Sequence, residues 1–344
     1  MSDIGIYSTT AMLGVLRALR KAQPWWLLDT FFPGMSFSDT EQVAFDVEVE
    51  DEEVAPFVSP TSAGQIGSDL GYETLYFTPA YIKPVNDVKP GAPLRRMMGE
   101  ALGGTLSAGQ REMAILGQLL EMQQTRIIRR KLLMGAEVMC TGSCIIKGEN
   151  YPEKRVDFRR DADLTKLLAG GDRWGEAGVS PYADVMAWMD LVGEKSGAGV
   201  TTVVMTGDAW ALFEADPKLE KVLDRTLGQA GTVQLGVSNG LPGSPVWKGR
   251  IGNTDFHTWN DTYREDGVKK TVFPPFTVVM AALTAAEGTQ AHGAILDPRA
   301  GYRSLETFPW SWIEDNPPRR MLMTQSAPLV YFRRPNATFS ARVR

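Results

Sequence analysis

A chain of 344 residues with 43% hydrophobic content can bury a sizeable core, which excludes a disordered or fibrous class and leaves room for two domains, or one domain with extensions. Net charge is −5 and the isoelectric point 5.3, so no overall basic field exists to hold nucleic acid, and any contact with DNA is expected to be loose and without sequence specificity. The first residues mix Arg17, Arg20 and Lys21 into their apolar run, unlike a secretory signal, and no apolar run reaches the roughly twenty residues of a membrane helix.

Ser8 and Thr9 can cap a short helix through Lys21. After it, Pro24, Trp25, Trp26, Leu27, Leu28, Phe31 and Phe32 form an aromatic knot that needs a surface, either its own domain or a neighbouring chain. From Val43 the residues alternate: Val43, Phe45, Val47 and Val49 face one way, Asp46, Glu48 and Glu50 the other. An acidic turn at Asp51, Glu52 and Glu53, then Gly64, Gly67 and Gly71, leads to a return run from Tyr72 to Ile82. Gln42 to Lys83 therefore reads as a long two-stranded ribbon. Between Ser36 and Ile82 stand ten carboxylates and no Lys or Arg. An isolated ribbon is marginally stable, so this one is expected to rest on a basic surface.

Ala108 to Met139 carries a proline-free helical pattern, about 45 Å long at 1.5 Å per residue. Met113, Leu116, Leu120, Ile127, Met134 and Val138 form one apolar stripe, broken at Gln123 and Lys131. Ser107 can cap its start, and Arg126, Arg129, Arg130 and Lys131 crowd the negative half of the helix. Cys140 and Cys144 follow without a second thiol pair, and His257 and His292 are distant, so both read as buried structural cysteines in a reducing compartment, not a metal site.

Glu137 to Lys147 and Arg155 to Arg160 suggest a strand pair turned at Gly148 to Tyr151. Pro181 opens a helix through Val192, Val200 to Thr206 reads as a buried strand, and helices follow at Asp208 to Ala215 and from Pro217. Gly228 to Pro245 is loop-like. Asp266-Gly267 turns Phe256 to Arg264 into Val268 to Phe273, Val278 to Ala286 is the longest apolar run, and strand-like runs at Met321 to Phe332 and Thr338 to Val343 close the chain. Gly236-Val237-Ser238-Asn239-Gly240 satisfies the nucleophile-elbow pattern of a serine esterase. The Leu241-Pro242-Gly243-Ser244-Pro245 that follows cannot form the helix an elbow requires, so an esterase is a remote reading and no enzyme is expected. No phosphate loop or dinucleotide fingerprint is present, and no cofactor is expected.

The order of parts, an apolar arm, an acidic ribbon, a long helix, a mixed central region and returning strands, resembles the major capsid proteins of lambda-type tailed bacteriophages, the major capsid protein E family. FTPAYIKP at Phe77 to Pro84 with Leu94-Arg95-Arg96 after it, WALF at Trp210 to Phe213, GVKK at Gly267 to Lys270 and QSAPL at Gln325 to Leu329 stand in the expected order and spacing. The similarity spans nearly the whole chain, with looser fits before Pro24 and at Gly228 to Pro245.

The resemblance implies the α+β tailed-phage and herpesvirus major capsid fold of the Hong Kong 97 type. Residues 1–35 would be an N-terminal arm, 36–92 the extended loop, 93–179 a peripheral domain with 108–139 as its spine helix, 180–300 an axial domain, and 301–344 a return to the peripheral domain. It further implies homo-hexamers and homo-pentamers in an icosahedral head around double-stranded DNA, a scaffolding protein on a separate chain, a portal, often a decoration protein, and a virion location after assembly in the host cytoplasm. A cellular nanocompartment shell of the same fold is the alternative. Subunit contacts are expected at Trp25, Trp26, Phe31 and Phe32 of the arm. On the ribbon they are expected at Asp46, Glu48, Glu50, Asp51, Glu52 and Glu53, and among the cations at Arg95, Arg96, Arg126, Arg129, Arg130 and Lys131. Some relatives join subunits by isopeptide bonds from a lysine on the extended loop. Here no Lys occurs between Lys21 and Lys83, so a non-covalent shell is expected.

Overall fold

The computed structural model describes residues 6–20, 25–40, 42–48, 72–89, 91–96, 100, 106–148, 151–219, 244–316 and 318–344. Helix α1 (Thr9–Arg20) begins where the Ala11 amide donates to Ser8 Oγ, as expected of a Ser cap. The arm continues as the short helix α2 (Trp26–Phe31). Strand β1 (Gly34–Phe37) leads to the ribbon, in which β2 (Val43–Glu48) runs antiparallel to β3 (Tyr72–Phe77), pairing Val43 with Phe77 and Glu48 with Tyr72. Strand β4 (Val85–Val88) follows.

The long helix α3 (Ala108–Thr141) starts with a capping box: Gln110 N donates to Ser107 Oγ, and Ser107 N donates to Gln110 Oε1. It runs two residues beyond the expected Met139, so the strand expected from Glu137 starts only at Ser143. Gly142 explains the boundary. It ends the helix in the left-handed region at φ 68°, with its amide donating to the Val138 carbonyl. Arg160 then donates from its guanidinium to the Met139 carbonyl at 2.7 Å and the Cys140 carbonyl at 3.0 Å, placing a cation on the negative end of the dipole.

Strands β5 (Ser143–Gly148) and β6 (Tyr151–Asp157) form a hairpin, and β7 (Thr165–Leu167) follows. Helix α4 (Pro181–Ser196) is capped by Ser180, with Pro181 in its first turn. Strand β8 (Thr202–Met205) and helix α5 (Gly207–Glu214) fall where the sequence puts them. Strands β9 (Val246–Ile251) and β10 (Thr254–Thr258) pair. The hairpin of β11 (Thr262–Glu265) and β12 (Val268–Thr271) turns at Asp266 and Gly267, both at positive φ. The longest apolar run is not one element but strand β13 (Thr277–Ala281) and the one-turn helix α6 (Leu283–Ala286). Strands β14 (Gly288–His292), β15 (Phe308–Asp315), β16 (Pro318–Gln325), β17 (Pro328–Phe332) and β18 (Thr338–Arg342) complete the chain. The single run expected at Met321 to Phe332 is thus two strands, broken at Ser326-Ala327. They belong to different sheets, because β16 pairs with β15 and β4 while β17 pairs with β14.

A six-stranded sheet, in the order β7-β18-β13-β8-β10-β9, sits at the centre. Its middle strands are buried on both faces, so successive residues feed two cores. Val203, Met205, Val278 and Met280 point to a cluster with Trp174, Val185, Trp188 and Phe213 from the α4 and α5 side. Val204, Val279 and Ala281 point to a second cluster with the C-terminal half of α3, the arm and β17. A third cluster joins Tyr7, Met12 and Leu16 to Leu116, Leu120 and Leu322, so α1 lies against the first half of α3. Met113, expected on the buried stripe, is 57% exposed, because the covered length begins only at Leu116.

Candidate inter-subunit surfaces

The arm divides its aromatic residues between two fates. Leu27, Leu28, Phe31 and Phe32 are buried in the chain's own core, and the Phe32 ring lies 4.5 Å from that of Phe332. At about 2 kcal/mol for each fully buried Leu or Phe, this burial rather than helix propensity holds α2, which is too short to be stable alone. The chain passes so close to β14 that a Cβ on Gly288 would lie 1.8 Å from the Phe31 carbonyl oxygen. Gln290 Nε2 then donates to the Phe32 carbonyl at 2.8 Å. The sequence left open whether the knot folds back or reaches out; within one chain Phe31 and Phe32 fold back. Trp25 and Trp26 keep part of their surface in water.

The ribbon leaves the body from a built root. Val43 and Phe77, opposite each other in register, are buried in the core with Pro79 behind them. Asp39 accepts from both the amide and the hydroxyl of Ser304, and these two hydrogen bonds hold its carboxyl below the usual range. Tyr151 donates to the Thr78 carbonyl at 3.3 Å, and Tyr81 to that of Ala294 at 2.6 Å. Asp46 and Glu48 stand on β2 opposite Thr74 and Tyr72. Glu50, Asp51, Glu52 and Glu53 lie outside the described residues.

Of the cations expected to meet such a ribbon, Arg126, Arg129 and Arg130 are exposed at three- and four-residue spacing on α3. Arg130 stands 3.8 Å from Glu265 in the β11–β12 hairpin. Lys131 turns inward instead. Its ammonium donates to Gln290 Oε1 and Glu306 Oε1, both at 3.0 Å, with its side chain 3% exposed. Gln123, the other break in the stripe, is likewise buried: Nε2 donates to Asn86 Oδ1 and the Leu322 carbonyl, and Oε1 accepts from Thr324. Both breaks are polar pegs joining the helix to strands beneath it. Arg95 and Arg96 are exposed, and Arg96 donates to the Glu100 carbonyl. Arg155 and Arg159 are exposed, whereas Arg160, clamped on the end of α3, is buried enough to lower its pKa to about 10. Sequence reasoning missed Glu100, which takes a bidentate pair from Arg111 in the first turn of α3 at 3.1 and 2.8 Å. Its only sequence signal was an acid before a long helix.

Gly236 to Gly240 lies outside the described residues. The His257 ring sits 5.2 Å from Trp26, and burial lowers its pKa. The Cys140 and Cys144 thiols are not bridged, and burial pushes both up to about 12. Among the described residues no group of three His, Cys, Asp or Glu could hold a metal, and no helix is long and apolar enough to cross a membrane.

The family model described as phage major capsid protein E matches residues 8–343. The major capsid protein of Escherichia phage lambda is 26% identical over 99% of this chain and 100% of its own length. That of Enterobacteria phage phi80 is 27% identical over the same shares. The crystal structure of a prophage capsid protein from E. coli CFT073 superposes with a TM-score of 0.71 at 20% identity, covering 98% of this chain and 99% of that one.

Proposed function

Because this chain belongs to the phage major capsid protein E family, and is the major capsid protein of a tailed-phage head, we infer that its copies close into hexamers and pentamers through the arm, the ribbon and the exposed face of α3. Its role is structural rather than catalytic, it resides in the virion, and it forms a shell with copies of itself.

The finer reading takes residues 1–35 as the arm, 36–92 as the extended loop, 93–179 with α3 as a peripheral domain, 180–300 as an axial domain and 301–344 as the return. The observation that carries it is the ribbon. Ten carboxylates between Ser36 and Ile82 have no cation in their own stretch, while Arg126, Arg129, Arg95 and Arg96 stand exposed elsewhere on the same chain. Such halves complement each other between copies. Trp25 and Trp26 are the arm residues left to meet a neighbour, and Phe31, Phe32 and Lys131 act from inside by fixing the arm and the helix. A scaffolding protein, a portal, in some heads a decoration protein, and double-stranded DNA held without sequence specificity complete the partners.

Negative-stain microscopy of the expressed chain, alone and with its scaffolding protein, tests the reading. Closed shells are the expected outcome; only monomers under both conditions would refute it.

A further inference from the structure

The sheet of β15, β16 and β4 is packed by two helices on one face, and on the other only at its Phe308–Trp310 end, against Ile295 and Ala327. Leu322 joins Tyr7, Met12, Leu116 and Leu120, and Gln123 bonds both Asn86 and the Leu322 carbonyl, so α1 and α3 lie on that side. Strand alternation sends Trp310, Trp312, Met321, Met323 and Val85 to the other. The outer face of a one-sided antiparallel sheet is ordinarily polar. Here its centre is apolar. Trp310 and Trp312 stack with ring centroids 4.6 Å apart, in register with Met323 and Met321, and Val85 beside them is 40% exposed. At one end the Arg299 guanidinium lies 3.9 Å over the Trp310 ring; at the other stands exposed Asp87, opposite Met321.

We propose that this tryptophan face is a subunit contact whose occupant is a second copy of the chain. The proposal rests on the self-assembly of the family. Trp, Met and Arg are the residues that interface centres enrich; Trp310 is packed at one end against Phe308, Ile295 and Ala327, and Trp312, Met321, Met323 and Val85 continue the apolar face beyond that cluster. Arg299 already stands 4.0 Å from its own Asp297, so the charge asked of the occupant is a cation towards exposed Asp87. The exposed arginines of a second copy, Arg95, Arg96, Arg126 and Arg129 among them, supply it. A stable contact buries roughly 800 Å² on each partner, so these side chains form the dry centre of a larger contact.

Hydroxyl-radical footprinting read by mass spectrometry tests this on particles assembled from the chain alone and on subunits dissociated from them. Because assembled particles are the starting material, a failure here is distinct from a failure of assembly. Oxidation of Trp312 and Met321 is expected to fall at least threefold on assembly, while Trp174 and Trp259, buried in the subunit's own core, stay weakly labelled in both states. Equal labelling of Trp312 in both states overturns the proposal, and so does protection found only in complete heads containing other proteins. In parallel, W312E is expected to keep the circular-dichroism spectrum of the subunit and lose most particles. Wild-type particle yield from W312E also overturns the proposal, and if W312E misfolds the footprint alone decides.

Discussion

Lys131 and Gln123 interrupt the apolar stripe of α3, and each is buried with partners that only the fold supplies. Replacing Lys131 by Met removes the buried ammonium that donates to both Gln290 and Glu306, and is expected to destabilise the subunit by about 2–3 kcal/mol, read from urea unfolding at constant m-value. The pair Lys131→Met with Glu306→Gln is expected to recover part of that loss, since it removes the carboxylate charge that faced the ammonium but does not restore the Gln290 hydrogen bond. His257 gives a second residue-level expectation. Burial against Trp26 lowers its pKa, while Asp255 pulls the other way. The unfolded chain takes up a proton near the ordinary imidazole value of about 6.5, where the folded imidazole is still neutral. The stability this group contributes is therefore complete above that pH and is lost as pH falls below it, towards the folded value. Between about pH 7 and pH 5.5 the unfolding free energy of the wild type should drop more than that of His257→Gln.

At the scale of elements, caps were legible and strand partners were not. Ser107, Pro181 and the Asp266-Gly267 turn act on neighbours within a few residues, so the sequence carries their full signal. Strand β14 reads Gly-Thr-Gln-Ala-His, with no alternation, and exists because β1 and β17 pair on either side of it. The fate of Phe31 and Phe32 was equally closed to sequence, since an apolar neighbour and an apolar core ask for the same residues. The termini of α3 allow a measurement. Ser107→Ala is expected to cost about 1 kcal/mol through loss of the capping box. Gly142→Ala should cost more, about 2 kcal/mol, because the residue keeps φ 68° and its new Cβ would stand 2.8 Å from Arg160. Thermal unfolding of the two variants should rank them in that order.

For the whole molecule, the charge division along the chain sets how shells respond to salt. Single exposed pairs contribute about 0–1 kcal/mol, yet many repeated around a closed shell add up. Assembly is expected to weaken as ionic strength rises. Reversing Arg129 and Arg130 together should reduce particle yield more than reversing Lys218 and Lys221; equal tolerance would argue against ribbon docking on α3. With no lysine between Lys21 and Lys83, mature particles boiled in detergent and reductant should run as one band near 37.8 kDa, not as a ladder of covalent oligomers. Last, the double-sided burial of β13 and β8 ties the two large cores to the same backbone. Neither core can melt while the other persists, because the strand that floors one is the ceiling of the other. An unassembled subunit should accordingly absorb heat in a single calorimetric peak, and trimming Val279 on the α3 side should loosen α4 across the sheet to the same degree.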